Sequence, residues 1–276
     1  MKCNGQYSIG EVSQICNVSK KALRHYDKMG LINSERSYTN NYRYYSDASL
    51  LAVPVIKYYK QMGFKLEEMR EFIEGDNVYK ALKRSFSSKI DELTKAQEET
   101  RRMFVSVRDW YDLINEAEMV IDHNINEVAV KYVEAGDFLF QDQVYDNDIK
   151  ASIINIQFTN YVELVGNEIT GPVMIHFSSA KDRMEQNPQN IRVMQRTLME
   201  CKRHEKVCFG GQMMISCYHI GCHSTIGETY EKMCRWARKH NYVVGDDAFE
   251  RYVTDYWTTT NRALHVTEVL MDVSRG

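Results

Sequence analysis

A carboxylate and aromatic rings occupy alternate positions near the C-terminal end of the chain. Glu250 is followed by Tyr252 and Tyr256, and residues two apart share one face of a β-strand. A carboxylate beside ring faces offers a cation both charge pairing and a cation–π attraction of about 0.5–2 kcal/mol per ring. Because burial of a lone carboxylate is costly, an incoming cation is its natural counter-charge. The pattern therefore predicts a site for a positively charged organic molecule that includes Glu250 and Tyr252.

Two other interpretations of Glu250 stay open. Its side chain is either exposed to solvent or paired with Arg251 or Arg262. Further aromatic residues are candidates for the walls of the pocket, although each taken singly is more typical of a core side chain. These candidates are Tyr145, Phe177, Tyr218, Trp257 and His265.

A second group of potentially reactive side chains consists of Cys217, His219, Cys222 and His223. Thiols and imidazoles are ligands that zinc favours, but the spacing of these four matches no common zinc pattern. We therefore expect no metal. A nucleophile pair of Cys222 and His223 is disfavoured because adjacent side chains rarely form the required hydrogen bond. No Walker loop, dinucleotide-binding loop or serine elbow is visible, so we expect no catalytic residue and no cofactor.

The N-terminal end is basic, although the chain as a whole carries a formal charge of −3. Residues 1–65 hold ten lysines and arginines against four acidic residues. A basic end on an acidic body indicates a part that binds a polyanion. Chance clustering of solvated charges is the alternative.

Two short helices with a tight turn between them are predicted in this basic end. Ser8 caps the first helix, Ile9 to Cys16, and Ser19 caps the second, Lys20 to Met29, which ends at Gly30. This arrangement fits a helix-turn-helix, whose second helix enters the major groove of DNA. An amphipathic helix with a basic solvent face is the alternative. The outward side chains are Lys20, Lys21, Arg24 and His25.

A β-hairpin is predicted over residues 36–45, because the Asn40–Asn41 turn is flanked by β-forming residues. Arg43, placed among tyrosines, suits a wing that grips phosphate and sugar. A third helix follows from Ser46 to Met62, and a fourth starts at Leu66.

A long helix is predicted over residues 79–117, which contain no Pro or Gly. At ~1.5 Å per residue it spans roughly 60 Å. Apolar residues repeat every seven positions in two frames, which indicates a coiled-coil seam; a helix packed on its own second domain is the alternative. The frames are Tyr79, Phe86, Leu93, Thr100, Val107 and Ile114, and Leu82, Lys89, Ala96, Met103, Trp110 and Ala117.

From Glu127 onward, alternation and short helices predict two similar units, each with a strand pair, a helix and a further strand pair. No clear boundaries are visible between residues 178 and 212. The predicted helices are Ile149 to Leu164 and Thr225 to His240. The predicted strands are Val128 to Val133, Phe138 to Val144, Val173 to Phe177, Met213 to Tyr218, Phe249 to Tyr256 and Leu264 to Val273.

Motifs in about the first 75 residues resemble the winged helix-turn-helix of the MerR family of transcription regulators. His25 stands where the family usually has a second aromatic residue. The resemblance implies DNA contacts by Arg24, His25, Tyr26, Arg43 and Lys60. We expect Lys20, Lys21 and Tyr44 to contact DNA as well. The motifs are Ile9-Gly10-Glu11-Val12, Val18-Ser19, Ala22-Leu23-Arg24-His25-Tyr26-Asp27, Gly30-Leu31 and Tyr42-Arg43-Tyr44-Tyr45.

Residues 120–276 resemble, more loosely, the GyrI-like effector-binding domain of drug-binding MerR regulators. Tyr218-His219-Ile220-Gly221, Tyr230 and Glu250-Arg251-Tyr252 carry the likeness. In that family the glutamate and aromatic rings form a pocket for cationic, lipophilic compounds. Metal-sensing relatives place cysteine ligands around the long helix, whereas this chain has no cysteine between Cys16 and Cys201.

Together these features predict an α+β protein with three parts: a winged helix-turn-helix over residues 1–76, a dimerisation helix that forms an antiparallel coiled coil over 77–118, and a GyrI-like domain over 119–276. The resemblance implies a homodimer that binds double-stranded promoter DNA, senses a small cationic effector and activates RNA polymerase by distorting the DNA. The alternatives are a GyrI-like hydrolase with Glu250 as base, or a protein that sequesters drugs.

The odd number of cysteines, seven, and the lack of a secretory or membrane-spanning segment lead us to expect a cytoplasmic protein with reduced thiols and no membrane partner.

Overall fold

The computed structural model describes residues 6–36, 42–74 and 78–276. They form two compact units, Met1–Glu99 and Thr100–Gly276, and combine helices with antiparallel sheets as predicted. In the described part of the chain, no helix is both long and apolar enough to cross a bilayer, and the cysteines at positions 16, 201, 208, 217, 222 and 234 are free thiols.

The first unit begins with the predicted helix-turn-helix and continues into a small sheet and further helices. Its sheet has the strand order β1-β3-β2. The elements in chain order are β1 (Gln6–Ser8), α1 (Ile9–Ile15), α2 (Lys20–Lys28), β2 (Ser34–Arg36), β3 (Arg43–Ser46), α3 (Asp47–Gln61), α4 (Leu66–Glu74) and the first part of α5 (Val78–Asp122).

Local hydrogen bonds explain where the first two helices begin. The Ser8 hydroxyl accepts a hydrogen bond from the Glu11 amide while the Glu11 carboxylate accepts one from the Ser8 amide, which is a capping box. The Ser19 hydroxyl accepts from the Ala22 amide at the start of α2. Asn17 takes a positive φ of 49° between the helices, so the tight turn predicted from the sequence is confirmed.

The predicted hairpin is present as β2 and β3, which pair antiparallel up to Arg36 and Arg43. Its turn at Asn40–Asn41 lies outside the described residues. Helix α3 continues through Pro54, which has no N–H to offer the Leu50 carbonyl. The Cys16 thiol, 3.7 Å from that oxygen, donates to it instead.

The start of α5 packs on the first unit. Leu82 and Phe86 contact its core. Lys89 is buried, lies 5.4 Å from the centre of the Phe64 ring and donates to Glu92 at 2.7 Å. Leu82 and Lys89 belong to the second heptad frame predicted for a coiled-coil seam, and Phe86 belongs to the first.

The exposed apolar side chains of α5 include members of both predicted frames, among them Met103 of the second frame. Leu93, Val107 and Ile114 of the first frame are exposed. The row beside them is Ile90, Phe104 and Tyr111, which lies one residue later than the predicted Lys89, Met103 and Trp110. In the second unit, Ala117 of the predicted row is buried against the sheet. Both ends of the second predicted row therefore pack on their own units, and the exposed side chains between them include Ile90, Phe104 and Tyr111 beside that row.

The second unit is an eight-stranded antiparallel sheet with the order β4-β9-β11-β10-β6-β7-β5-β8, together with four helices and the end of α5. Two short 3₁₀ turns, His223–Thr225 and Arg262–Leu264, complete it. The elements are β4 (Ala129–Val133), β5 (Gly136–Tyr145), α6 (Ile149–Ile153), α7 (Ile156–Leu164), β6 (Ile169–Phe177), α8 (Ala180–Glu185), β7 (Gln189–Thr197), β8 (Lys206–Phe209), β9 (Gln212–Ile220), α9 (Ile226–Lys239), β10 (Tyr242–Thr254) and β11 (Val266–Arg275).

Two similar units make up this sheet, as predicted, and they exchange their first strands. Strand β4 opens the first repeat but pairs with β9 of the second, while β8 opens the second repeat but pairs with β5 of the first. The two exchanging connections meet. A Cβ on Gly210 would lie 2.2 Å from the Glu134 carbonyl oxygen, so the crossing requires glycine there.

Four elements differ from the prediction. The helix predicted over 149–164 is two helices, because Asn155 caps α7 with a hydrogen bond from the Phe158 amide. Helix α8 and strands β7 and β8 occupy the segment 178–212, where no element was predicted. The six strands predicted elsewhere in this unit are confirmed, with longer bounds in most cases.

The sheet has two different faces. One packs against α6, α7, α8 and α9 through the larger core cluster, which includes Phe177, Tyr230 and Tyr252. The other carries a methionine- and phenylalanine-rich cluster and the end of α5. Strand β10 lies at the junction of the two repeats, and its consecutive residues face opposite sides of the sheet.

Candidate functional sites: a basic helix and a buried acid cluster

The outward face of α2 is basic. Lys20, Lys21, Arg24 and His25 are all exposed, as predicted from the periodicity of the helix. Tyr26, which was predicted as a DNA contact by resemblance, is instead 4% exposed and belongs to the core of the first unit. The helix therefore presents a continuous polar surface on a core anchored by Tyr26.

The candidate wing is tied to α2 through Asp27. The Arg43 guanidinium donates to Asp27 at 3.0 Å, and the same carboxylate accepts from the Ser34 hydroxyl at 2.7 Å. Arg43 is therefore part of the link that orients the two strands relative to α2. Tyr44 is half-buried beside it, and Lys60 is exposed on α3.

Glu250 lies fully buried on the helix-covered face of β10. Its two oxygens accept hydrogen bonds from Tyr230 at 2.9 Å and from Tyr252 at 2.6 Å. The Arg183 guanidinium also donates to both oxygens, at 2.7 and 3.2 Å. Glu250 is thus neither exposed nor paired with Arg251 or Arg262, as the open interpretations had it; its partner is an arginine from α8.

Arg183 is surrounded by aromatic rings as well as by the acid. Its guanidinium carbon lies 4.9 Å from the centre of the Phe177 ring and 5.6 Å from that of Tyr145. The Tyr145 hydroxyl is 3.4 Å from a guanidinium nitrogen. A carboxylate, two ring faces and a hydroxyl thus surround one cation, which belongs to the chain itself.

Residues 7–76 match the family described as MerR HTH family regulatory protein, and residues 157–274 match the GyrI-like small molecule binding domain. The chain thus joins a MerR HTH domain to a GyrI-like domain. It is accordingly a DNA-binding transcription regulator whose C-terminal part is of a small-molecule-binding type.

Two curated relatives and one solved structure align with different shares of this chain. The multidrug-efflux transporter 2 regulator of Bacillus subtilis (strain 168) is 24% identical, over 90% of this chain and 89% of its own. The multidrug-efflux transporter 1 regulator of the same organism is 48% identical over 68 residues, 24% of each chain. The EcmrR–DNA complex, solved by cryo-electron microscopy, aligns with a TM-score of 0.46 and 18% identity, over 98% of this chain and 100% of that one.

The GyrI-like domain brings some of the predicted pocket residues together and leaves others apart. Tyr145, Phe177 and Tyr252 lie in the Glu250 cluster. Tyr218 lies on the opposite face of the sheet, where its hydroxyl donates to Glu116 at 2.7 Å. Trp257 is 63% exposed. His265 is buried near the ring of His223, at a centroid distance of 5.3 Å.

Arg183 is the residue of this cluster that sequence reasoning missed, and Tyr230 was noted only as part of a motif. Arg183 lies in the segment where no element was predicted, 67 positions from Glu250. No local pattern connects two residues so far apart, and a six-residue helix is too short to show a period of 3.6.

Charges and burial in the cluster shift its pKa values in opposite directions. Burial alone would raise the pKa of Glu250, but the Arg183 guanidinium and the two tyrosine hydroxyls hold it below its ordinary value. Burial and the neighbouring carboxylate raise the pKa of both Tyr230 and Tyr252. The cluster therefore holds a carboxylate and a guanidinium in their charged forms, with neutral tyrosines around them.

A cavity of about 240 Å³ lies beside the cluster and shares Tyr252 with it. Phe158 and Asp255 line its buried part, and the exposed Trp257 lies at its surface. The Asp255 carboxylate accepts a hydrogen bond from the Trp257 amide at 2.7 Å, and burial raises its pKa. The cavity thus offers aromatic rings and an acid next to Glu250.

His219 and Cys217, two members of the group Cys217, His219, Cys222 and His223, are packed and hydrogen-bonded. His219 is hydrogen-bonded to Thr229 at 2.9 Å and to the Cys222 carbonyl at 3.0 Å. The Cys217 thiol donates to the Asn126 carbonyl. Among the described residues, no three His, Cys, Asp or Glu side chains are placed to share a metal ion.

A second acid–arginine network occupies the opposite face of β10. The Arg251 guanidinium donates to Glu268 at 2.8 Å and also to Glu116 of α5. Lys131 of β4 pairs with the same Glu268. Glu250 therefore connects β10 to the helices that cover one face of the sheet, and the next residue, Arg251, connects β10 to α5 on the other face.

His223 provides a test of this electrostatic arrangement through pH. Its side chain is buried near His219, His265, Glu250 and Arg183, and burial lowers its pKa to about 4. In the unfolded chain the imidazole takes up a proton below about pH 6.5. Between pH 6.5 and 4 the unfolded state therefore binds more protons, so stability falls as pH falls.

We expect the free energy of unfolding to decrease between pH 7.5 and 5, with His223 responsible for about 2 kcal/mol of the change. In His223→Gln that share of the decrease should vanish, as measured by urea unfolding at each pH. His204→Gln, which alters an exposed histidine, serves as the control. An unchanged pH dependence in His223→Gln would contradict the assignment.

Proposed function

We propose that this MerR-type regulator binds promoter DNA as a homodimer in the cytoplasm and responds to small cationic, lipophilic aromatic compounds. It activates RNA polymerase by distorting the promoter, and its targets include genes for efflux of such compounds. The observation that carries the effector class is the Glu250 cluster, a buried acid enclosed by ring faces. The names of the relatives, which regulate multidrug-efflux transporters, support the same class.

DNA contact is proposed for the exposed face of α2 and for the wing. The exposed cations on α2 stand on a rigid core, and Arg43 is held on Asp27 so that the wing keeps its orientation. Lys20, Lys21, Arg24 and His25 face the major groove, while Arg43, Tyr44 and Lys60 contact phosphates. Tyr26 acts from the core by positioning α2.

Arg24→Ala should weaken binding to the operator about 5- to 150-fold, the loss of one side-chain contact worth about 1–3 kcal/mol. Gel shifts over a series of salt concentrations measure both the affinity and the number of phosphates contacted. Lys239→Ala, which removes an exposed cation from the GyrI-like domain, is the control and should bind DNA normally. Equal affinity in Arg24→Ala would remove α2 from the interface.

Dimer formation is proposed through the exposed apolar row of α5. Ile90, Leu93, Phe104, Val107, Tyr111 and Ile114 are separated by the intervals of three, four and eleven residues that one face of a coiled coil requires. Such a row is stable in water when a second copy of the helix covers it.

Phe104→Lys should convert the dimer to a monomer at micromolar concentration, because a charge would be buried in the seam. Sedimentation equilibrium measures the change, with circular dichroism to confirm that the fold persists. Lys95→Glu alters an exposed residue on the other side of the same helix and should leave the dimer intact. A Phe104→Lys protein that stays dimeric would place the interface elsewhere.

Effector binding is proposed at the Glu250 cluster, entered from the adjoining cavity. Benzyltrimethylammonium is a suitable probe, and neopentylbenzene is its neutral counterpart of the same shape. Glu250→Gln should weaken the cation at least tenfold while changing the neutral compound less than threefold, because only the cation loses a charge partner. Calorimetry on folded protein, with the exposed Glu163→Gln as control, measures both. An equal loss for the two compounds would contradict charge pairing.

We propose binding rather than hydrolysis at this site. A general base has a pKa near the working pH, whereas the pKa of Glu250 is held below its ordinary value by Arg183. Sequestration of drugs without DNA binding would give no sequence-selective shift of the operator, which the same titrations test.

A further inference from the structure

We infer that Arg183 is a tethered occupant of the effector site, and that an effector cation binds by displacing its guanidinium from Glu250. This inference rests on the proposed function of the Glu250 cluster. It adds that the unliganded domain holds its own competing cation.

The contacts of Arg183 are those expected for a bound organic cation. Its guanidinium meets the Glu250 carboxylate through two hydrogen bonds and faces the rings of Phe177 and Tyr145. Both charged side chains are almost fully buried. Because the carboxylate is already neutralised, a second cation in the same space would meet repulsion unless Arg183 left.

Helix α8 is suited to release Arg183. It has six residues, from Ala180 to Glu185, and it ends at Gln186, whose φ is +57°. In the described part of the chain, the side-chain polar contacts of α8 other than those of Arg183 reach only residues 179–187, as Asp182 and Glu185 do through Asn187. Arg183 is thus the side chain of α8 that makes a polar contact with the sheet in the described residues, while the backbone of the N-cap Ser179 is hydrogen-bonded to Gln189 of β7.

Displacement of Arg183 would also alter the contacts of α9. A Cβ on Gly227, in the first turn of α9, would lie 4.0 Å from the Met184 carbonyl oxygen of α8. Tyr230, one turn further along α9, donates to Glu250. The acid, the tethered cation and the two helices therefore respond together when a different cation pairs with Glu250.

A tethered competitor lowers the apparent affinity of every effector, since only the fraction of molecules with Arg183 displaced is able to bind. It also sets a selection rule. Effectors must supply a cation together with ring or alkyl surface that fills the space between Phe177 and Tyr145. Small cations without such surface replace the guanidinium poorly.

The test compares Arg183→Gln with Arg192→Gln. Arg192 forms the same pattern at the surface of the domain: two hydrogen bonds to Asp142, at 2.7 and 2.9 Å, and a guanidinium 4.2 Å from the Phe140 ring. Its removal controls for the loss of an arginine–carboxylate pair as such. Calorimetry with benzyltrimethylammonium measures affinity, and hydrogen exchange of residues 180–186 measures the state of α8.

We expect Arg183→Gln to bind the cation at least about tenfold more tightly than the wild type, and Arg192→Gln to differ from it less than twofold. The gain should disappear in Arg183→Gln/Glu250→Gln, a neutral pair that keeps hydrogen-bonding groups at both positions. In the wild type, saturation with the cation should speed the exchange of the α8 amides. If Arg183→Gln folds poorly, Arg183→Lys keeps a charge without the bidentate geometry and should gain affinity to a smaller extent.

Two results would overturn the inference in different ways. Equal affinity in the wild type and Arg183→Gln, with a loss in Glu250→Gln, would leave the proposed effector site intact and show that Arg183 does not compete. If neither the folded wild type nor folded Arg183→Gln binds the cation, the proposed effector site is wrong, and the tethered competitor with it.

Discussion

The buried charge of Glu250 is the constraint on which the GyrI-like domain depends. A carboxylate with no exposure needs hydrogen-bond donors and a counter-charge to remain ionised. The chain supplies them from three elements: Arg183 from α8, Tyr230 from α9 and Tyr252 from β10 itself. Since these elements all donate to Glu250, the positions of α8 and α9 on the sheet and the electrostatics of the site depend on each other. Any change of partner at Glu250 alters all of them.

Strand β10 also carries a second network of charged side chains, on its opposite face. Side chains alternate along a strand, so Arg251 faces the opposite side and joins Glu268 to Glu116 of α5. The effector cluster and the helix proposed for dimerisation are therefore separated by one peptide unit of the central strand. A ligand shifts a two-state protein only by its differential affinity for the states. The exchange of Arg183 for an external cation supplies such a difference. Strand β10 contributes residues to both the Glu250 cluster and the Arg251 network.

Local patterns made much of the fold predictable. Alternation placed Glu250 and Tyr252 on one face, and serine caps marked α1 and α2. Long-range packing was not predictable from such patterns. The heptad repeat of α5 did not show that Leu82 and Lys89, which belong to the second predicted row, pack within the first unit. Arg183 was missed because its partner lies across the fold and its helix is too short for a periodic signal. The acid could be predicted, but not the cation beside it.

Stability alone does not explain why the domain contains this ion pair. Replacing a buried pair with apolar side chains of similar volume is often neutral or stabilising, whereas removing one partner is strongly destabilising. Glu250 and Arg183 stand within a core of leucine, isoleucine, valine and aromatic residues that could have been continued through both positions. What the pair provides, and an apolar core does not, is a carboxylate whose counter-charge can be exchanged. In such a site Arg183 balances the buried charge of Glu250. A ligand is recognised because it forms a more favourable pair with the same carboxylate.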